Sequence, residues 1–375
     1  MNNLRSILAL GALGAVTVSA PGYASPDGSV EPAHAVFVMN NDADANEVIS
    51  YQRAPYGSLY SPRKFKTGGR GSGGKGDPLG SQGSLTLSHD QHWLFAVNAG
   101  SGTLSVFRVE GSNLELTDRV PTGGAEPTSV ALNGSLVYVL NAAGSSSVAG
   151  FVFHAGHLAP IPSSQQFLSV NGANPGSVAF SPDGKFLLAT EKTGNHIDVF
   201  SVLPDGTLSA IKVNPSDGPG AFAVAVAPNG TAVVSETGSG GTTSAISSYG
   251  IHSDGTLTPI SASVPTLGAA NCWNAITPNG RYVYVSNAGS STISGFSIGS
   301  TGALTPIGGT IVGSNPAGSG NLDIAISSDG KFLYSLNSAG GAIGAFAINA
   351  DGSLVNLGVL GGLPAGSSLN GIAAD

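Results

Sequence analysis

The chain has 375 residues, of which 41% are hydrophobic and 10% charged, and carries a formal net charge of −8. So few basic residues exclude the broad cationic footprint of a nucleic-acid binder, and the apolar content excludes a wholly disordered chain. Glycine fills 56 positions without a G-X-Y period, which excludes a collagenous helix and points to many tight turns between short strands.

Residues 1–24, MNNLRSILALGALGAVTVSAPGYA, read as a secretory signal. Arg5 precedes an apolar run from Ile7 to Ala20, and the small residues Gly22 and Ala24 suit cleavage after Ala24. The run is shorter than the roughly 20 residues of a spanning helix. The mature chain is therefore expected in the periplasm or outside the cell, without a transmembrane anchor. The alternative is an uncleaved anchor. Residues 25–34 follow as a short polar leader. Cys272 is the single cysteine, so no intramolecular disulfide can form, and packing must supply the stability of an exported chain. Its thiol reads as a small buried hydrophobe rather than a nucleophile, because no histidine lies near it in sequence.

From Ala35, AVFVMNNDADANEVISYQR reads as two strands joined by a turn around Asp42 to Asn46. Residues 62–80 then read as a long, flexible Gly-rich basic loop carrying Arg63, Lys64, Lys66, Arg70 and Lys75. Regular repetition begins at Ser84. SLTLSHDQ, SVALNG, SVAFSPDG, VAVAPNG, NAITPNG and IAISSDG each hold an apolar strand, and most run into a Gly-closed turn. Gly134, Gly184, Gly230, Gly280 and Gly330 mark a spacing of about 50 residues, a propeller-like period given the strand content.

The ends decide the topology. The first unit opens directly on a second-strand type, and the final SSLNGIAAD is an inner strand with no unit after it. Joining the two completes seven units, whereas a linear stack of meanders leaves both halves unexplained. The predicted fold is all-β: residues 35–375 form a seven-bladed β-propeller of four-stranded antiparallel blades, closed by the C-terminal strand in the N-terminal blade.

With strands A to D numbered from the axis outward, meander connectivity puts the D–A and B–C connections on one face. The PDG, PNG and SDG turns fall on the other face and carry no assigned chemistry. The B strands end in Asn40, Asn98, Asn141, Glu191, Glu236, Asn287 and Asn337. The asparagines read as caps of B–C turns. Glu191 and Glu236 interrupt the pattern in adjacent blades, and a carboxylate cannot donate a hydrogen bond when ionised. At a channel mouth the pair could activate water, share a proton, hold a polyol or bind a divalent cation. Solvated turn carboxylates, or pairing of Glu191 with Lys192, are the alternatives. They are the candidate catalytic residues. The D–A connections add a candidate substrate-binding set of Asn174, Phe222, Trp273, Asn274 and Asp323, which Asn287 joins from its B–C turn. Seven histidines lack ligand-like spacing, so no metal or other cofactor is expected.

SPDGKFLLATEKTGNHIDVFSVLPDGTLS and TPNGRYVYVSNAGSSTISGFSIGSTGALTPI resemble the lactonase family of seven-bladed propellers, which includes propeller-type 6-phosphogluconolactonase and fungal carboxy-muconate cyclase. The likeness covers nearly all of the mature chain, and DPLGSQGSL with ANCWNAITPNG resembles an exported branch. It implies chemistry on a lactone, with carboxylates such as Glu191 and Glu236 at the B-strand ends. The sugar-phosphate branch often carries histidine where inner strands begin and an Asn-Arg-Gly-His turn. Here the corresponding text is ANPGSVAF, GPGAFAVAV and Ser286-Asn287-Ala288-Gly289-Ser290, without those basic groups. A phosphorylated substrate would want them as charge-assisted donors. The expectation is hydrolysis or isomerisation of a small non-phosphorylated lactone by a monomer. The alternative is a non-catalytic module that binds carbohydrate or protein outside the cell.

Overall fold

The computed structural model describes residues 34–375; the expected signal peptide and nearly all of the leader lie outside the described residues. Seven antiparallel sheets follow one another along the chain. The inner strands of blades two to seven are Leu85–Leu87, Ala125–Asn133, Pro175–Phe180, Ala221–Val226, Asn271–Ile276 and Asn321–Ile326. Blade one takes its inner strand, Ile372–Ala374, from the other end of the chain. There Val36 pairs with Ala374, Phe37 with Ala373 and Val38 with Ile372. The ring is thus closed as the half-units at the two termini predict.

The second strands form the packed middle of each blade. Phe186–Glu191, Thr231–Glu236, Tyr282–Asn287 and Phe332–Asn337 are buried at every residue. Neighbouring blades cover both of their faces, so their apolar runs do not alternate with polar residues as a half-exposed strand would. A repeated tyrosine ties blade to blade. The hydroxyls of Tyr138, Tyr284 and Tyr334 donate to the carbonyls of Gly206, Gly352 and Gly57 at 2.7, 2.8 and 2.8 Å. Each acceptor sits in the C–D turn of the next blade, and the last bond crosses the closure from blade seven to blade one. Arg53 reinforces that seam, reaching Asp329 at 3.3 Å and the Asp375 carbonyl at 3.0 Å. Blade three departs from the pattern: Gln166–Phe167 adds a fifth strand against Ser147–His154.

Of residues 62–80, expected as a flexible loop, 62–66 are strand and 67–80 form a loop without regular structure. Arg63, Lys64 and Lys66 belong to Leu59–Lys66, the outer strand of blade one. The chain beyond is fastened to its neighbours: Thr67 N–H donates to Asn46, Gly71 N–H to Asp42 and Gly73 N–H to Asn41. Glycine permits these approaches, because a Cβ at Gly71 would lie 2.1 Å from the Asn41 backbone. Gly69, Gly71 and Gly73, which suggested mobility, sit where the chain packs closely. Among the described residues no helix is long and apolar enough to cross a membrane.

Ile372 is 4% exposed in the closing strand. Replacing it with alanine is expected to destabilise the ring by about 2–5 kcal/mol, measured by denaturant unfolding; an unchanged midpoint would show that the seam does not depend on this strand's packing.

Candidate functional site

Two backbone features recur where the inner strands begin. A left-handed residue precedes or opens each strand: Gly83, Glu126, Asn174, Gly220, Ala270, Gly320 and Gly371 all have positive φ. A β-bulge follows in blades three to seven, as at Pro175/Val178, Ala221/Val224 and Asn271/Trp273. Bulges re-aim side chains, here close to the axis. Four of the seven left-handed positions are glycine. Glu126, Asn174 and Ala270, with φ of 54°, 47° and 50°, are not, and strained non-glycine backbone of this kind concentrates at functional sites; the first two line an open cleft.

The segment 77–83 lies across the axial channel. Ser81 Oγ donates to the Thr128 carbonyl of blade three at 2.8 Å, and Gln82 N–H donates to Gly176 of blade four at 2.9 Å. On the far side, Ser81 accepts a hydrogen bond from Trp273 Nε1 and Gln82 Oε1 accepts one from Asn274 N–H, both at 2.8 Å. Asp77 Oδ1 accepts from Gly80 N–H at 3.0 Å and from Asn370 Nδ2 at 2.9 Å. This crossover fills the predicted central funnel and displaces the open space to one side.

That space is a cleft of about 580 Å³ between blades three and four, walled by residues 77–80 of the crossover. Glu126 and Asn174 line it, with Lys192, Phe222 and Asp77. Lys192 Nζ donates to the Gly80 carbonyl and sits 4.6 Å from the centre of the Phe222 ring, a cation–π contact. Burial pulls the Lys192 ammonium down from its ordinary value, against the opposing pull of Asp77. Burial pushes Asp77 up to about 6, while Lys192 and two hydrogen bonds hold it back. A carboxyl poised near neutrality beside an ammonium is a functional-site signature.

The candidate substrate-binding residues divide. Asn174 and Phe222 line the cleft. Trp273, 1% exposed, packs edge-on against Phe222 at 5.1 Å but lies beneath the crossover. Asn274 is buried there too, its amide donating to Ala223 and Ser235. Asp323 is buried without a cation, and burial pushes it up to about 8. Asn287 is buried in blade six, bonded to Thr292 and Ser294. Cys272 is buried beside Thr237, and burial pushes its thiol up to about 12, which makes it a poor nucleophile.

Glu191 and Glu236 are fully buried and absent from the cleft lining. Glu191 accepts hydrogen bonds from Ser169 Oγ at 2.7 Å and Val170 N–H at 3.1 Å. Glu236 Oε1 accepts from Ser216 Oγ, Gly218 N–H and Ser247 Oγ at 3.0, 2.8 and 2.7 Å. Both therefore hold the D–A crossover that arrives from the preceding blade. The asparagines do similar work: Asn98 accepts from Thr67 Oγ1 at 2.6 Å while donating to Thr103 and Ser105. Where the crossover presents only donors, an acceptor-only carboxylate fits better than an amide. Among the described residues no three His, Cys, Asp or Glu side chains gather as a metal site.

Asp77 and Lys192 escaped the sequence reading. Asp77 sits in what looked like a mobile loop, and Lys192 was considered only as a partner for its neighbour Glu191. The available signal was the run of glycines at the left-handed positions, which Glu126, Asn174 and Ala270 break; the first two line the cleft.

A seven-bladed propeller with a polar off-axis cleft on its D–A face defines the class. The chain belongs to the lactonase family of seven-bladed β-propellers, whose model matches residues 44–167, 145–272 and 222–320. A Bacteroides uniformis structure provisionally described as a 6-phosphogluconolactonase superposes with a TM-score of 0.70 at 20% identity, over 92% of this chain and 100% of that one. The periplasmic gluconolactonase PpgL of Pseudomonas aeruginosa gives 0.68 at 20% identity, over 90% and 99%. At such identity the likeness is one of fold. No curated protein matches the chain significantly.

Replacing Glu236 with alanine leaves three buried donors without their acceptor. The expected cost is about 2–4 kcal/mol of stability, read by urea unfolding. Glu236→Gln should cost less, because its amide oxygen still accepts.

Proposed function

We propose that the protein is an exported lactonase that opens a small, neutral, polyhydroxylated lactone in the cleft between blades three and four. The observation that carries this reading is Asp77, its carboxyl pushed up to about 6 by burial, facing Lys192 across the cleft wall. Among the described residues Asp77 Oδ2 accepts no hydrogen bond, which leaves it for water.

The chemistry follows from these positions. Asp77 takes a proton from water as its oxygen bonds to the lactone carbonyl carbon. The Lys192 ammonium stabilises the oxyanion of the tetrahedral intermediate. Collapse breaks the ring carbon–oxygen bond, and the departing alkoxide recovers the proton from Asp77, leaving an open-chain hydroxy acid. Phe222 offers a flat apolar surface, while Asn174 and Glu126 offer hydrogen bonds to hydroxyls. Family membership supports the reaction class. The description of the Pseudomonas structure as a periplasmic gluconolactonase accords with both the substrate class and the signal-like residues 1–24. Phosphorylated lactones fit poorly, since among the described residues Lys192 is the one cation lining a cleft that also holds Asp77 and Glu126. In this reading Glu191 and Glu236 shape the crossovers and do not touch substrate.

The second reading is a binding module for neutral carbohydrate. The burial of Glu191 and Glu236 favours it, because Asp77 is left with all of the acid–base work. A panel of aldonolactones and their phosphates, followed by acid release in a pH-stat, separates the two. The lactonase reading expects turnover of neutral lactones in preference to phosphates, and a loss of about 100-fold or more in Asp77→Asn. Binding without ring opening would establish the module instead.

The pH dependence has a definite sign. A base must be ionised to act, so kcat/KM should rise through about pH 6, the value to which burial raises Asp77, and level off above it. A rate that falls through that window would remove Asp77 from the role.

A further inference from the structure

Below the cleft, a second pair of acids is buried in blade four. Asp198 stands where Ser105 of blade two and Ser294 of blade six stand: Ala189 faces Asp198 across the second and third strands, as Ala96 faces Ser105 and Val285 faces Ser294. The serine hydroxyls in the other blades donate to a crossover carbonyl, Thr67 at 2.8 Å and Thr266 at 2.6 Å. In blade four an acid replaces the hydroxyl and the B-strand asparagine is replaced by Glu191, so two carboxyls meet where neutral groups meet elsewhere.

One of their four oxygens, Asp198 Oδ1, is buried without a hydrogen-bond partner. Asp198 Oδ2 accepts from Ser169 N–H at 2.9 Å. Glu191 accepts from Ser169 Oγ and Val170 N–H and lies 3.5 Å from His196 Nδ1. The two acids thus converge on Ser169, whose N–H donates to Asp198 and whose Oγ donates to Glu191. A proton on Oδ1, donated to Glu191, satisfies both groups and leaves one negative charge rather than two. Burial and the Glu191 charge push Asp198 up to about 7.

The groups facing this pair are few. His196 lies on the same strand as Asp198, with Nδ1 3.3 Å from Ser169 Oγ. Lys212, on the adjoining outer strand, is turned toward Asp254 at 3.8 Å. The crossover contributes Ser169 and Val170 and no charge. Three residues further along, that crossover becomes the cleft: Gly172 and Asn174 line it, Asn174 accepts from Lys192 N–H, and Thr193 bonds to Ala173 and Gly172.

We propose that Asp198 and Glu191 share one proton and together act as positioning residues, holding residues 169–174 as the wall of the cleft so that the wall loosens when the proton is lost. The inference rests on the cleft being the working site, but its test does not require turnover. The sign follows from linkage: an acid held protonated in the closed wall and ordinary in the open one stabilises closure fully below the open-state value and loses that contribution as pH rises to about 7.

Hydrogen exchange of the full chain, corrected for the intrinsic pH dependence, reads the wall directly at the amides of Ser169 and Val170. Protection should fall about tenfold per pH unit between pH 5 and 7 and then level off. Asp198→Asn keeps a donor that cannot ionise, and its profile should be flat. Carboxyl carbon NMR of the unaltered protein provides a reading independent of any variant, with one of the two acids titrating near pH 7. Flat protection in the unaltered protein, an undiminished slope in Asp198→Asn, or two acids both ionised at pH 5 would each overturn the proposal. Failure of lactone turnover would leave it standing.

Discussion

The pairing of the last strand with the first blade is the constraint on which the rest of this molecule depends. Three residues, Ile372–Ala374, complete a sheet whose other strands were made more than 300 residues earlier. Without that pairing, the inner edge of blade one is open and the tyrosine bond from Tyr334 to Gly57 has no reason to form. With it, blades four and six are held at fixed places across the axis. Only then can one short crossover reach Gly176 on one side and Trp273 and Asn274 on the other. The same crossover walls the cleft between blades three and four, while a second cavity of about 480 Å³ lies among the inner strands toward the opposite face, lined by Leu87, Val226, Ile276, Ile326 and Ala374.

Charge is used sparingly in this protein, and its placement separates two kinds of acid. Glu191 and Glu236 are surrounded by donors and serve the crossovers. Asp77 and Asp323 lie nearer the axis, where burial raises both, to about 6 and about 8. Asp77 alone among these four acids lines the cleft, which Lys192 also lines. A lactone-opening site needs a base that is ionised near neutrality and a cation for the developing oxyanion. In the proposed lactonase reading, Asp77 would be that base and Lys192 that cation. Blade four adds the linked pair beneath the wall, so a single blade contributes the cation, part of the cleft lining and the acids that hold it.

Much of the site was hidden for a physical reason. The asparagines at the B-strand ends were visible as a repeat, and so were the two glutamates that break it. Whether a carboxylate at such a position faces substrate or a backbone amide depends on what the preceding crossover presents. Ser169, Val170 and Gly218 lie about 20 residues before their glutamates in an irregular stretch with no period to read. Phe222 and Asn174 were legible because each stands where an inner strand begins, a place the repeat locates. Asp77 was not, because it follows a glycine run that resembles a mobile linker until Asn41 and Asn98 are seen pressed against it.

The sequence by itself determined the all-β class, the number of blades and the closure by the C-terminal strand. These follow from local turn chemistry and apolar strand runs repeated at nearly constant spacing, which survive in one dimension. Only the tertiary contacts settle that the glycine-rich crossover spans the axis, that Glu191 and Glu236 are buried and that Asp77 and Lys192 line one cleft. The first and last depend on contacts between residues more than 100 positions apart, such as Lys192 with Gly80. The burial of the glutamates depends on what an irregular crossover presents, and all three depend on desolvation, which no spacing of residues encodes.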